Sequence, residues 1–184
     1  MTTLVTCSDG AEIENPRWTK QEETRLAEAN RFLSRKKRGS INRSKAKENL
    51  RRCHQRIKGK RSAYLHGISR QLVDFYDLIA YEALKINNMV KSPMAKSILD
   101  AAWGELIYQL KYKAEEAGIS TVAVNPRNTS QLCSECGRKV PKDLSQRTHL
   151  CPFCGLVMGR DLNAALNILD RGMRSVVFST RGSN

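Results

Sequence analysis

The chain has 184 residues, 27% of them charged, and a formal net charge of +14. No apolar run reaches the roughly 18 residues that a membrane-spanning helix needs, and no secretory signal precedes the first polar stretch. A membrane-spanning helix is therefore not expected, and the six cysteines are expected in a reducing, cytoplasmic compartment. The length suits one domain with a core of its own and a small satellite.

In chain order, residues 1–16 read as a β-hairpin: Leu4, Val5 and Thr6 favour a strand, Ser8-Asp9-Gly10 a turn, and Glu12-Ile13-Glu14 the return before Pro16. Thr19 and Glu22 have the spacing of a capping box and open a predicted helix, with Leu26, Ala29, Phe32 and Leu33 on one face and a stop near Arg38-Gly39-Ser40. A second helix is predicted from about Asn42 to Tyr76. Ala46, Leu50, Cys53, Ile57, Tyr64, Ile68, Leu72 and Phe75 recur there at helical spacing. It would be about 50 Å long, with Gly59 and Gly67 as possible bends. Residues 19–76 thus form a helical hairpin, and the positive excess is concentrated around it: residues 17–70 hold 18 basic residues against four acidic ones. So few acids cannot pair so many cations, and the basic faces, in particular Arg51, Arg52, Arg56, Lys58, Lys60 and Arg61, predict contacts to nucleic-acid phosphates. An acidic membrane surface would need an aromatic-rich apolar face that these helices lack.

Residues 77–84 are nearly all apolar and read as a buried central strand. Glu82 is the anomaly, because a carboxylate near the end of such a strand needs a cation or hydrogen bonds to compensate it. Ser92-Pro93 supplies an N-cap and first-turn proline for a helix running to Gly118, with Ile98, Ala101, Ala102, Leu106 and Leu110 as its stripe and Trp103 in the core. Residues 119–125 form another strand, Val122 and Val124 alternating with Thr121 and Ala123.

The strongest local signal follows. Cys133 and Cys136, then Cys151 and Cys154, form two Cys-x-x-Cys pairs separated by 14 residues. Each pair can offer two thiolates from one tight turn, with Gly137 and Gly155 where a knuckle needs positive φ. Together they predict a closed, structural four-cysteine zinc site in 133–154. Two disulfides are the competing reading, disfavoured by the compartment. His149 is not needed as a ligand. Asp161 opens a short amphipathic helix bearing Leu162, Ala165, Leu166 and Leu169, with Gly172 as its C′ residue. On composition alone Asp161 complements the helix dipole. Residues 174–184 are expected to be a frayed tail.

The ordered set NPRNTSQLCSECG, CPFCG and GRDLNAALNI resembles the C-terminal part of TnpB, a transposon-encoded relative of the type V CRISPR effectors. The resemblance implies an α/β fold: a RuvC/RNase H-like mixed sheet with a zinc ribbon inserted at 133–154. The nuclease domain would occupy 1–132, including the hairpin 19–76, and resume at 155–173. It implies that Asp161 is the third catalytic carboxylate and Glu82 the second, although Ala83 stands where the family has an aspartate. Arg127, in a stretch beside the active site, would contact substrate phosphate. The N-terminal hairpin resembles the one that follows the family's first strand, whose Gly-(Ile/Val)-Asp-(Leu/Val)-Gly pattern is not found here; a misplaced start, a decayed fragment or a second chain supplying the strand would each account for that. Such carboxylates hold two Mg2+ ions about 4 Å apart for phosphodiester hydrolysis. Expected partners are DNA and a guide RNA, with catalysis impaired when the chain acts alone. The alternative is a non-catalytic DNA- or RNA-binding zinc-ribbon protein.

Overall fold

A computed structural model describes residues 2–85, 89, 91, 95–143 and 145–181, with side chains described to residue 176. Thr3–Thr6 (β1) and Glu12–Glu14 (β2) pair antiparallel, Val5 opposite Ile13 and Thr6 opposite Glu12. Their turn is closed by the Asp9 carboxylate, which accepts the Ala11 N–H at 2.9 Å.

The next segment forms two helices, Trp18–Gln21 (α1) and Glu23–Ser34 (α2), instead of one, and the predicted capping box is absent. Thr19 lies inside α1, and its hydroxyl donates to Asp100 at 2.6 Å. A charged acceptor brought in by the tertiary fold has displaced the local cap. Ile41–Phe75 (α3) is a single 35-residue helix capped by Ser40, whose hydroxyl accepts the Arg43 N–H. Gly59 and Gly67 do not interrupt it. α2 packs on α3, and Arg43 ties their connection by donating to the carbonyls of Leu33 and Lys36 at 3.1 Å. The buried stripe of α3 includes Ala46, Ile57, Leu65, Ile68, Leu72 and Val73. Phe32 and Phe75, placed on apolar stripes by spacing, are instead 51% and 77% exposed.

Leu78–Glu82 (β3) pairs in parallel with Ser120–Val124 (β4), Glu82 opposite Val124. Parallel neighbours need a crossover, supplied by Ala95–Ala101 (α4) and Trp103–Ala117 (α5). The single helix expected here is split at Ala102, which adopts φ 50°. The predicted start at Ser92-Pro93 lies outside the described residues. β3 is half-buried along its whole length, not buried as its composition suggested. Thr148–Leu150 (β5) and Val157–Gly159 (β6) form a third, antiparallel pair. Among the described residues the strands make three two-stranded sheets, where a single mixed sheet was expected. The core joins β1, α3, α4 and α5 through Leu4, Leu65, Ile68, Leu72, Ala101, Leu106 and Leu110.

The last helix, Arg160–Arg181 (α6), runs straight through Gly172 and takes up most of the expected tail. Gly172 is therefore not a C′ residue. It is the point at which α6 meets β3: a Cβ built there would lie 2.5 Å from the Ala80 Cβ. Glycine to alanine inside a helix normally gains about 1 kcal/mol. At Gly172 the sign is expected to reverse, with Gly172→Ala losing about 1–3 kcal/mol to overpacking in urea denaturation. Gly67→Ala on α3, where the added methyl meets nothing within 4 Å, serves as the control that gains stability.

Candidate metal centre and carboxylate site

Two backbone loops of the same design build the metal centre. In the first, the Gly137 N–H donates to the Cys133 carbonyl at 2.9 Å and the Cys133 N–H to that of Arg138. In the second, Gly155 donates to Cys151 at 3.0 Å and Cys151 to Leu156. Gly137 and Gly155 take φ 71° and 77°, a region that side chains disfavour. The four Sγ atoms lie within 4.8 Å of one another. Cys133–Cys154 and Cys136–Cys151 are each 3.6 Å apart, where a tetrahedron of about 2.3 Å Zn–S bonds has edges near 3.8 Å. Unbonded sulfurs at this spacing, paired across the two loops, fit a zinc ion and not two disulfides, whose S–S bonds are about 2.05 Å.

The two thiols of the second loop are shifted in opposite directions. Burial pushes the Cys151 thiol up, but the N–H groups of Phe153 and Cys154 and the neighbouring thiols outweigh it and hold it at about 6. At Cys154 the Leu156 N–H lowers the thiol's pKa, yet burial and three neighbouring sulfurs push it up to about 12. His149 is fully buried beside the centre without belonging to it. Its Nδ1 lies against the Lys142 ammonium, which also donates to the Ser130 carbonyl. Burial and that cation both push the imidazole's pKa down.

Two residues that sequence reading passed over attach α6 to this centre. Asn163, fully buried, accepts the Ser134 N–H and donates to the Leu132 carbonyl at 2.7 Å. Asn167, one turn on, donates to the carbonyls of Thr129 and Leu132. In the sequence both stand beside the apolar stripe, where polar residues of an amphipathic helix are ordinary. Arg171 extends the attachment, donating to the carbonyls of Asn125 and Arg127.

The same loop reaches Glu82. The Thr129 hydroxyl, in a residue only 3% exposed, donates to Glu82 Oε1 at 2.5 Å. Asp161 stands in the first turn of α6, exposed, with Arg160 Nε donating to it at 3.1 Å. The two carboxylates thus have different direct partners, but the elements that carry them are both bonded to residues 125–134. Arg127 is exposed on that loop. On the hairpin, Arg51 and Arg52 both pair with Glu48. Lys60 pairs with Glu22, and Arg61 with the buried Asp100 at 2.8 Å. Among the described residues neither Arg56 nor Lys58 sits in a salt bridge, and both are exposed.

Residues 1–93 match the "Probable transposase" family, and residues 103–168 match a "Cas12f1-like, TNB domain". The chain is 40% identical over 178 residues to a "Putative RNA-guided DNA endonuclease" of Streptomyces pristinaespiralis, covering 94% of this chain and 44% of that protein. It is 35% identical over 186 residues to the "Putative RNA-guided DNA endonuclease InsQ" of Escherichia coli K12, covering 92% and 46%. The chain therefore spans less than half the length of these relatives. Its fold matches a chain of the cryo-EM structure of the Cas12f1-sgRNA-target DNA complex with a TM-score of 0.61 at 19% identity, covering 86% of this chain and 43% of that one.

Proposed function

The chain belongs to the probable transposase family, and from that premise we propose that it is the RuvC-like nuclease part of a TnpB-like RNA-guided DNA endonuclease. In this reading the division is a nuclease domain in 1–132 and 155–173 with a zinc ribbon inserted at 133–154. The observation that carries it is the bonding of one zinc-stapled loop to both candidate acids' elements: Thr129 to Glu82, and Asn163 and Asn167 to the helix that Asp161 opens.

Glu82 and Asp161 would hold Mg2+, which supplies an activated water and stabilises the leaving oxygen of a phosphodiester. Thr129 fixes one oxygen of Glu82, so that the carboxylate is oriented before substrate arrives. Asp161 stands in the first turn of its helix, where a negative side chain complements the helix dipole. The ribbon does no chemistry; it sets the position of the loop between the two acids. Arg51, Arg52, Arg56, Lys58, Lys60 and Arg127 would contact the phosphates of DNA and guide RNA, which positions a duplex without reading its sequence. Two carboxylates within these residues are one short of the family's three, so weak cleavage by the 184-residue chain alone is expected.

The test is Mg2+-dependent nicking of supercoiled plasmid by the zinc-loaded chain. Nicking is expected to fall to the Mg2+-free background in both Asp161→Ala and Glu82→Gln; nicking that survives both substitutions would sink the assignment. The alternative, a non-catalytic DNA- or RNA-binding protein, rests on the basic surface of α3. It is selected by an affinity that falls steeply with salt and no cleavage at any Mg2+ concentration. In either case Arg56→Ala and Lys58→Ala are each expected to lower the salt slope by about 1, read from binding isotherms between low and physiological salt.

A further inference from the structure

A crevice of about 380 Å3 lies between the first turn of α2 and the middle of α3. Leu26, half-buried, and Ile57, buried, give it an apolar floor, and Arg51, His54, Gln55 and Lys58 form an exposed rim. Most cations nearby are already committed: Arg51 and Arg52 pair with Glu48, Lys60 with Glu22 and Arg61 with Asp100. His54, Gln55 and Lys58 are not. Among the described residues their side chains make no hydrogen bond and no ion pair. One free side chain on a helix surface is ordinary; three of different chemistry around one apolar hollow are not.

Each of the three offers something the others lack. Lys58 is a point charge, and Gln55 holds a donor and an acceptor side by side in one carboxamide. His54 is a flat ring one turn before Lys58 on the same face of α3. A ligand that uses the floor and all three must be flat and apolar in body, carry a hydrogen-bonding edge and end in an anion. A phosphate alone would use only Lys58, and would be desolvated against Leu26 and Ile57 without compensation. An apolar molecule would leave the rim unused. A base inside a duplex has its faces covered by stacking and its inner edge taken by its partner. An unpaired nucleotide meets every condition, since its face can stack on a ring, its edge can bond an amide and its phosphate can pair with an ammonium.

We propose that this crevice receives one unpaired nucleotide of a bound nucleic-acid strand. The base lies over Leu26 and Ile57 beside His54, its edge meets Gln55, and a phosphate meets Lys58. His54 and Gln55 thereby become recognition residues, and the hairpin tells a strand with accessible bases from an intact duplex. The inference rests on the reading of α3 as a nucleic-acid surface and goes beyond it, because phosphate contacts alone do not register whether a base is present.

The experiment compares two labelled single strands on the zinc-loaded 184-residue chain by fluorescence anisotropy. One is an oligodeoxyadenylate of about a dozen nucleotides, longer than the shortest site sizes of strand-binding folds; the other has the same backbone and phosphates with every base removed. The base-bearing strand is expected to bind at least about tenfold more tightly. His54→Ala with Gln55→Ala, two exposed positions whose side chains hold nothing in the fold, should shrink that difference to within about twofold. The salt slope, the affinity for a blunt duplex and the urea midpoint should stay unchanged. His54→Phe, which keeps a flat ring, should keep most of the difference. Equal binding of both strands by the unaltered chain, an undiminished difference in the double variant, or a loss in His54→Phe as complete as in the double variant would overturn the proposal and leave the phosphate reading standing. Absence of binding to either strand at low salt would remove both. Displacement of the strand by micromolar deoxyadenosine monophosphate would also overturn it, since a free nucleotide would then be the occupant.

Discussion

Chelation at neutral pH is expected to release one zinc ion per chain and to loosen residues 125–160 as a unit. The magnitude should be large, because a closed four-thiolate site contributes its binding free energy directly to folding, about 10–16 kcal/mol in zinc-finger peptides. Here the ribbon strands are only three residues each, and such short pairs do not stand alone. The metal therefore replaces a core that the segment is too small to possess. The loss should propagate, since Asn163 and Asn167 bond to carbonyls whose positions the first knuckle sets. Substituting Co2+ should give the absorption of tetrahedral thiolate coordination, and Cys133→Ser or Cys151→Ser, the two buried ligands, should remove it. With zinc bound all four thiols are held deprotonated, so the folded state carries fewer protons than the unfolded one below the free thiol range. Stability must then fall as pH falls. A chain that keeps its urea midpoint after zinc removal, or binds no metal, would contradict this account.

The metal centre was legible because its chemistry is local: two thiolates must leave one turn together, and that fixes Cys-x-x-Cys with a glycine behind it. The length of α3 was legible for a similar reason, since a long 3.6-residue period averages out local exceptions. The family resemblance carried by the motifs within residues 125–168 is likewise borne out by the matches to residues 1–93 and 103–168. What sequence reading missed is what distant parts of the chain impose. Nothing in the local propensity of Ala102 forecasts φ 50°, and the break it makes between α4 and α5 is a demand of packing. Gly172 reads as a helix end when only its neighbours are considered, and as a contact once Ala80 faces it. Asn163 and Asn167 look like ordinary polar residues of an amphipathic helix until the carbonyls of Thr129 and Leu132 arrive. Thr19 has the spacing of a cap, yet its hydroxyl bonds a carboxylate 81 positions away.

That carboxylate gives the second large effect. Asp100 is 8% exposed, and its Oδ1 accepts from the Thr19 N–H at 3.1 Å, the Thr19 hydroxyl at 2.6 Å and Arg61 Nη2 at 2.8 Å. It joins α1, α3 and α4 at one atom. Asp100→Ala leaves the Arg61 guanidinium without its anion in a site where Arg61 Nε already has no hydrogen-bond partner among the described residues. Removing one member of a buried pair costs about 3–5 kcal/mol, and a loss of that order is expected in urea denaturation. Asp100→Asn keeps an acceptor for Thr19 but not the charge, and should lose less, about 1.5–3 kcal/mol. Replacing both partners by leucine should recover much of the deficit, because no lone charge remains to be buried. The same pair decides how the basic surface is to be read. If Arg61 serves the fold, Arg61→Ala shifts the urea midpoint and leaves the salt slope of DNA binding unchanged, whereas Arg56→Ala lowers the slope and leaves the midpoint in place. A salt slope that falls equally in both variants would show that Arg61 reaches a phosphate in spite of Asp100, and that the ion pair opens when nucleic acid binds.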